Sequence, residues 1–378
     1  MAWFATGVAP LDPTELARAR QYLYGGLVGS TVAQLWLLAA LAGAYFSGAS
    51  AWARQRLERR FASRWLVQGG VAAGLGVGVQ LLLLPFDFYL DYVRERAFGF
   101  QHQTALAWLG QWGLSALVTL VALVVVVELA YAALGGRGLG AWWLRMWGVV
   151  AVGVVFAAAI QPVLIAPLFN RFTPVGDPAV SAALGQLARR AGIPHAEILE
   201  VNASRQSSHT NAYVFGLLGT ERIVVYDTLL RDQPLPEVEF VVGHEIGHYV
   251  LDHLAWGVAF TLLFLLGLFA LLGWLYPRLA RGPQPGDVAG LPLLLLLLFL
   301  MLFLAAPVTN GFSRWEEHQA DAYGLQLSGQ GCAAVASFQR EEHTDLIYPD
   351  PPAWMVAWFF THPSQQQRID FARRFCRP

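Results

Sequence analysis

Charge is scarce in this chain. Only 13% of its residues are Asp, Glu, Lys or Arg, against about a quarter in a soluble globular domain. Lysine is missing altogether, so every basic residue is arginine. Acidic and basic residues nearly cancel, leaving a formal net charge of -1. The electrostatic footprint of a nucleic-acid binder is therefore absent. Cysteine occurs twice, at Cys332 and Cys376, and neither lies in a CxxC pattern. That excludes a cysteine zinc site and a dithiol redox motif. Two free thiols are the plainer expectation, with a disulfide as the alternative. The opening segment has no basic start leading into a short apolar core and a small-residue cleavage site. It does not read as a signal peptide, and the first apolar run is expected to be retained. The lack of lysine, with heavy use of Ala, Gly and Val, points to a GC-rich bacterial source.

What the chain has in abundance is apolar sequence: 56% of its residues are hydrophobic. A helix needs about twenty apolar residues to cross a bilayer. Six runs come near that length: 24–46, 66–84, 105–134, 142–169, 254–276 and 291–308. The last contains no charge at all, and buried soluble helices of that length keep a polar face. The links at 53–64, rich in arginine, and at 87–103, mixed aromatic and charged, read as connections between spans.

The segment 170–252 is more polar and reads as a small α/β unit. Asp177 followed by Pro178 is a helix N-cap with proline at the first position, and the helix should run to about Arg190. Residues 196–201, 211–216 and 222–227 are rich in β-branched and aromatic side chains and read as strands. Gly219-Thr220 fits a hairpin turn between the last two. A further helix should open near Pro236. The tail is polar again, helical from Asn310 to about Ser328, with Pro349, Pro351 and Pro352 ending regular structure there. Four parts follow: 1–169 with four membrane helices, 170–253, 254–308 with two more, and 309–378.

The helix opening near Pro236 carries His244-Glu245-Ile246-Gly247-His248. Residues four apart on a helix lie about 40° apart on one face, so two imidazoles so placed can hold one small cation. Zinc favours nitrogen ligands in a tetrahedron. Glu245, beside the first ligand, is placed to take a proton from water. The plain alternative is two exposed histidines on an amphipathic helix. It fits poorly, because ionisable groups beside membrane helices are costly and tend to be functional. His253, five residues beyond His248, lies about 140° round the helix and misses the metal face; it reads as an interfacial polar residue. A third ligand must come from elsewhere. The segment 313–321 offers Glu316, Glu317, His318 and Asp321. Glu317 and Asp321 share a face, which favours Glu317 as ligand with Asp321 hydrogen-bonded behind a ligand histidine. Spacing alone leaves Glu316 open. Glu128, within the third apolar run, either faces a polar interior or bonds a neighbouring helix.

Several stretches resemble the type I CAAX prenyl proteases, integral-membrane zinc endopeptidases related to the yeast a-factor-converting enzyme. They are PFDFYLDYVRERAFGFQHQT (85–104), LIAPLFNRFTPV (164–175), SSHTNAYVFGLLGTERIVVYDTLL (207–230), the zinc motif, SRWEEHQADAYG (313–324) and THPSQQQRI (361–369). The resemblance implies a predominantly α-helical polytopic membrane protein of about six transmembrane helices with a small, gluzincin-like α/β zinc metallopeptidase domain. It implies one Zn2+ per chain held by His244, His248 and Glu317, with Asp321 behind them and Glu245 as catalytic base. It gives weight to Asn211, Ala212 and Tyr213 as a strand edge that holds substrate backbone. His362 is implied as a donor to the developing oxyanion, and Arg368 as an anchor for substrate or for the metal's surroundings.

The expected function is hydrolysis of peptide or protein substrates at a membrane, lipidated CAAX-type peptides among them, with membrane lipid as a further partner and no nucleic acid. Proteolytic quality control without prenyl specificity is the main alternative. An inactive metal-binding scaffold would not need Glu245, and a transporter would spread polar residues through its spans. Family members of the yeast type have seven spans against six runs here. The composition points to a bacterial inner-membrane protein, and the resemblance implies that its peptidase side faces the cytoplasm. The positive-inside rule, applied to the arginine-rich link 53–64, gives the opposite orientation; the family orientation is adopted as the expectation.

Overall fold

The computed structural model describes residues 7–134, 141–216 and 221–376. Among them, five helices are long and apolar enough to cross a membrane. They are α1 (Pro13–Phe46), α3 (Arg64–Phe98), α4 (Ala105–Leu134), α5 (Trp142–Phe169) and α8 (His253–Leu279), with a short α2 (Ala49–Glu58) between the first two. Helix α1 starts well before residue 24, because Asp12 and Glu15 form a reciprocal capping box and Pro13 opens the first turn. Helix α3 runs through most of the segment expected to be a link. Pro85 lies inside it, and the ladder widens into a π turn over Phe88–Arg94 instead of breaking. The expected single span at 291–308 is instead a bent pair. Helix α9 (Leu291–Leu304) stops at Ala305, and α10 (Ala306–Ser328) leaves at 53°. The arginine-rich link is itself largely helical, as α2.

Exposed tryptophans mark two levels along the bundle. On α8, Trp256 and Trp274 are both more than half exposed. At about 1.5 Å per residue they lie ~27 Å apart along the axis, near the ~30 Å thickness of a hydrocarbon core. Trp52 and Trp65 are exposed at the Trp274 end, where Arg54 pairs with Asp287 at 2.7 Å and Ser50 donates to the Ala289 carbonyl. The opposite end of the bundle meets the α/β unit.

That unit is a four-stranded sheet of Phe172–Pro174 (β1), Glu197–Val201 (β2), Ala212–Phe215 (β3) and Arg222–Tyr226 (β4), ordered β1-β2-β4-β3. Strands β2 and β4 are parallel and the outer pairs antiparallel. The short β1 has no clear alternation and was not expected. The hairpin turn expected at Gly219-Thr220 lies outside the described residues. Helix α6 (Pro178–Arg190), capped by Asp177 as expected, and helix α7 (Leu235–Val250) enclose one core. It contains Leu184, Leu187, Ile223, Val225, Val242 and Ile246, all nearly inaccessible.

The tail closes the unit. Helices α11 (Gly331–Thr344) and α13 (Gln365–Ala372), with a short α12 (Ala353–Phe359) between them in the chain, follow; α11 and α13 pack Ala334, Val335, Phe338, Ile369 and Ala372 against Phe240 of α7. Cys332 and Cys376 form a disulfide, which corrects the expectation of free thiols. Their separation of 44 residues hid the pairing, which arises because α13 folds back on α11.

Candidate active site

Two helices build the site by approaching closely at small residues. A Cβ on Gly247 of α7 would lie 3.3 Å from the Ala320 Cα of α10, and one on Gly324 would lie 2.7 Å from the His244 backbone nitrogen. Glycine is required where backbones touch in this way. The approach brings His244 and His248 of α7 against Glu317 of α10. Their Nε2 atoms are 3.1 Å apart. His244 Nε2 is 3.3 Å from Glu317 Oε2, and His248 Nε2 is 3.4 Å from Oε1. The three donor atoms fall within 4.8 Å of one another.

Each ring is held from behind. His244 Nδ1 lies 2.9 Å from Asp321 Oδ1. Asp321 in turn accepts two hydrogen bonds from Arg368, at 2.7 and 2.9 Å, and the guanidinium stacks over Phe338. An ionised Asp321 accepts the hydrogen bond of His244 Nδ1–H and leaves Nε2 a lone pair aimed at Glu317. His248 Nδ1 meets His253 Nδ1 at 2.9 Å. The lone pairs of two imidazoles and of the buried Glu317 carboxylate converge on one point. Such a donor set suits a cation, so the residues fit a catalytic metal. Without one, a proton substitutes. Burial pushes the His244 imidazole down, but its hydrogen bonds to Asp321 and Glu317 more than reverse this, to about 10. Burial also pushes the Glu245 carboxyl up, partly opposed by His244 and His248.

The remaining expected residues fall as follows. Glu316 points away from the cluster, toward Gly257 of α8. His318 is exposed against the Phe371 ring. His362 is half exposed, with Nε2 3.2 Å from Glu317 Oε2. Arg368 is buried on Asp321, which orients the His244 ring; a substrate anchor would need it free. Ala212 and Tyr213 lie on β3, an edge strand, and Asn211 precedes it. A cavity lined by Asn211, Glu245, His362 and Arg368 connects that edge to the histidines. Glu128 sits against Gly69 of α3, the helix–helix arrangement.

Two residues escaped the sequence reading. His253 does not continue α7: the helix ends at Val250, Asp252 turns through a left-handed φ of 56°, and His253 opens α8. The 140° argument held only for an unbroken helix. His209 also escaped. Its Nδ1 meets Asp345 Oδ1 at 2.9 Å and its Nε2 meets Glu95 Oε2 at 3.0 Å. Its position three residues before the edge strand was the available signal.

Fold and site together define a polytopic membrane metallopeptidase. Comparison with known proteins agrees. Residues 174–375 match Peptidase family M48, and residues 9–171 match the family described as CAAX prenyl protease N-terminal, five membrane helices. The chain belongs to peptidase family M48, in its CAAX prenyl protease branch. An uncharacterized metalloprotease of Bacillus subtilis, YhfN, is 33% identical over 373 residues, covering 96% of this chain and 87% of its own. A CAAX prenyl protease 1 homolog of Dictyostelium discoideum is 30% identical over 302 residues, 77% of this chain and 70% of that one. The crystal structure of S. mikatae Ste24p shares the fold, with a TM-score of 0.78 at 23% identity over 95% of this chain and 89% of that one.

Proposed function

We propose that this protein is a zinc endopeptidase of a bacterial inner membrane, acting on membrane-associated peptides. His244, His248 and Glu317 hold one zinc. The convergence of their three donor atoms, with His244 braced by Asp321 and Arg368, carries this reading. Zinc, when bound, supplies Lewis acidity at the scissile carbonyl and makes water more acidic.

The chain's own residues supply the rest. Glu245 takes a proton from the attacking water and returns it to the leaving amine. His362, half exposed beside the cluster, donates to the carbonyl oxygen as negative charge develops there. An extended substrate adds to the free edge of β3 at Asn211, Ala212 and Tyr213, pairing main chain with main chain. In this division, 1–169 and 254–308 form the membrane body. The segment 170–253 carries the base and two ligands, and 309–378 brings the third ligand, His362 and Arg368. Several relatives are named CAAX prenyl protease 1, so lipidated peptides belong in any substrate panel.

The test is cleavage of fluorogenic peptides, farnesylated and unmodified, by wild type and Glu245→Gln, with zinc quantified in both. The expected result is about one zinc per chain in each and a kcat lowered about 10²–10⁴-fold in the variant. Absence of zinc from both proteins after metal-replete purification would overturn the metal assignment. Zinc-loaded wild type that cuts nothing would make the protein a scaffold.

A further inference from the structure

We propose that the end of the bundle away from the peptidase unit holds the phosphate headgroup of an anionic phospholipid, in a cavity lined by Arg64 and rimmed by the unpaired arginines of α2. The site lies at the opposite end of the bundle from the histidines, and its test needs no cleavage.

Positive charge is concentrated there. The stretches 47–65 and 277–290 hold seven of the chain's 25 basic residues, against two acidic ones, Glu58 and Asp287. Arg54 faces both carboxylates, at 3.7 Å from Glu58 and 2.7 Å from Asp287. Arg278 and Arg281 lie over the Trp274 and Phe46 rings. Among the described residues, Arg56, Arg59, Arg60 and Arg64 have no carboxylate partner. Helix α2 is fixed through its other side: Ser50 donates to the Ala289 carbonyl at 2.8 Å, and Leu57 lies against Gly70 of α3. Trp52, Gln55, Arg56 and Arg59 recur at helical spacing on the face left exposed. Between α2, the start of α3 and the link after α8 lies a cavity of about 620 Å³, lined by Arg54, Phe61, Arg64, Gln68, Gln284 and Asp287. Arg64 Nε donates to Gln68 at 2.8 Å and its Nη2 to the Tyr131 carbonyl at 3.3 Å. Those bonds hold the guanidinium and leave Nη1 to donate to an anionic oxygen.

An anionic lipid fits this surface better than a free anion or an acidic protein does. Trp52 and Trp65, both more than half exposed, flank the arginine run, and tryptophan rings settle at the headgroup level of a bilayer. They set the guanidinium groups at the depth of lipid phosphates. Just below, α3 exposes Leu66, Val77 and Leu81, which fall on one face of the helix. A free phosphate would use the arginines and leave that apolar strip uncovered, whereas acyl chains cover it. Basic clusters beside a span and basic pockets between spans recruit anionic headgroups in this way.

The experiment titrates the full-length protein in detergent with phosphatidylglycerol, phosphatidylcholine, inorganic phosphate or polyglutamate. Native mass spectrometry counts bound lipid, and the melting temperature is followed alongside. Phosphatidylglycerol should bind and raise the melting temperature, and the other three should not. Arg56→Gln combined with Arg59→Gln should weaken that binding roughly 25-fold, about fivefold for each arginine, and Arg64→Gln should weaken it at least as much as either single rim change. Arg189→Gln combined with Arg190→Gln removes the same charge from exposed residues of α6 and should leave lipid binding unchanged. Equal binding of phosphatidylcholine, an equal loss in the α6 control, or an unchanged affinity in the rim variant would each overturn the site. Inorganic phosphate or polyglutamate matching the effect of the lipid would make this a free-anion or acidic-peptide site and overturn the lipid assignment.

Discussion

Two clusters in this protein are made from the same side chains and differ in what they leave unsatisfied. Around His209, one imidazole lies between two carboxylates, Glu95 and Asp345, and both ring nitrogens have an acceptor within 3.0 Å. Tyr22 donates to the same Glu95, and Thr210 to the same Asp345. Every lone pair there faces a proton, and the result is a stable imidazolium. Around His244, two imidazoles face one carboxylate, and Asp321 already accepts the hydrogen bond of the first ring's outer N–H. Lone pairs are left over, and they point at each other. Ligand-type residues in one place do not make a metal site; a surplus of inward acceptors does.

The strongest way to break this contrast keeps every ligand and moves the helices. Gly324→Ala places a Cβ about 2.7 Å from the His244 backbone nitrogen, so α7 and α10 must part. Over-packing of this kind costs about 1–3 kcal/mol, and the convergence of His244 with Glu317 is lost along with it. Zinc affinity, measured by competition with a chelator, should fall more than about 100-fold, and cleavage with it. A variant that binds zinc as tightly as wild type would show that convergence is not what defines the site.

A milder change alters the proton count and not the geometry. Asp321→Asn retains a hydrogen-bonding group opposite His244 Nδ1 and Arg368 but removes the charge that both use. Loss of such an outer partner typically weakens metal binding about 10–100-fold. The expected outcome is a zinc-dependent enzyme whose activity recovers at high zinc concentration. An unchanged zinc affinity would mean that Asp321 orients α10 and does nothing for the metal.

The difference between the clusters also explains what could be read from sequence. The pair His244 and His248 is fixed by helix geometry, and Glu317 with Asp321 by the same rule on a second helix. The angle between neighbours holds only while one helix continues. It failed at His253, where Asp252 adopts a left-handed backbone, and at Ala305, where an unbroken apolar run hides a bend. His362 and Arg368 had no local signature and came only from family resemblance. The ion pairs of His209 join residues 114 and 136 positions away, and the disulfide likewise depends on how the tail folds back. Spans were legible because apolar length alone forces them; their ends were not, because a capping box at Asp12 and a π turn after Pro85 extend helices past the apolar boundary.

The smallest expected effect tests the satisfied cluster. Burial pushes the His209 imidazole down, but hydrogen bonds and charge from Asp345 and Glu95 more than reverse it, raising it from 6.5 to about 9. A histidine whose folded pKa is raised stabilises the fold fully below its unfolded value and loses that contribution as pH rises through the folded one. Wild type should therefore show a melting temperature that declines between about pH 6.5 and 9, steepest midway between the two. His209→Gln can still hydrogen-bond but cannot carry the charge. It should melt lower at pH 6 and converge on wild type by about pH 10. Its zinc content should be unchanged, because the cluster has no lone pair to offer a metal. The His209 carbonyl accepts from Thr228 at 2.8 Å, and the ring anchors the segment leading into β3. Loosening that segment should raise KM about fivefold while leaving kcat nearly unchanged, since it misplaces the edge that holds substrate and not the groups that react. Loss of zinc from this variant, or a fall in kcat without a change in KM, would show that the two clusters are coupled and that the contrast between them is false.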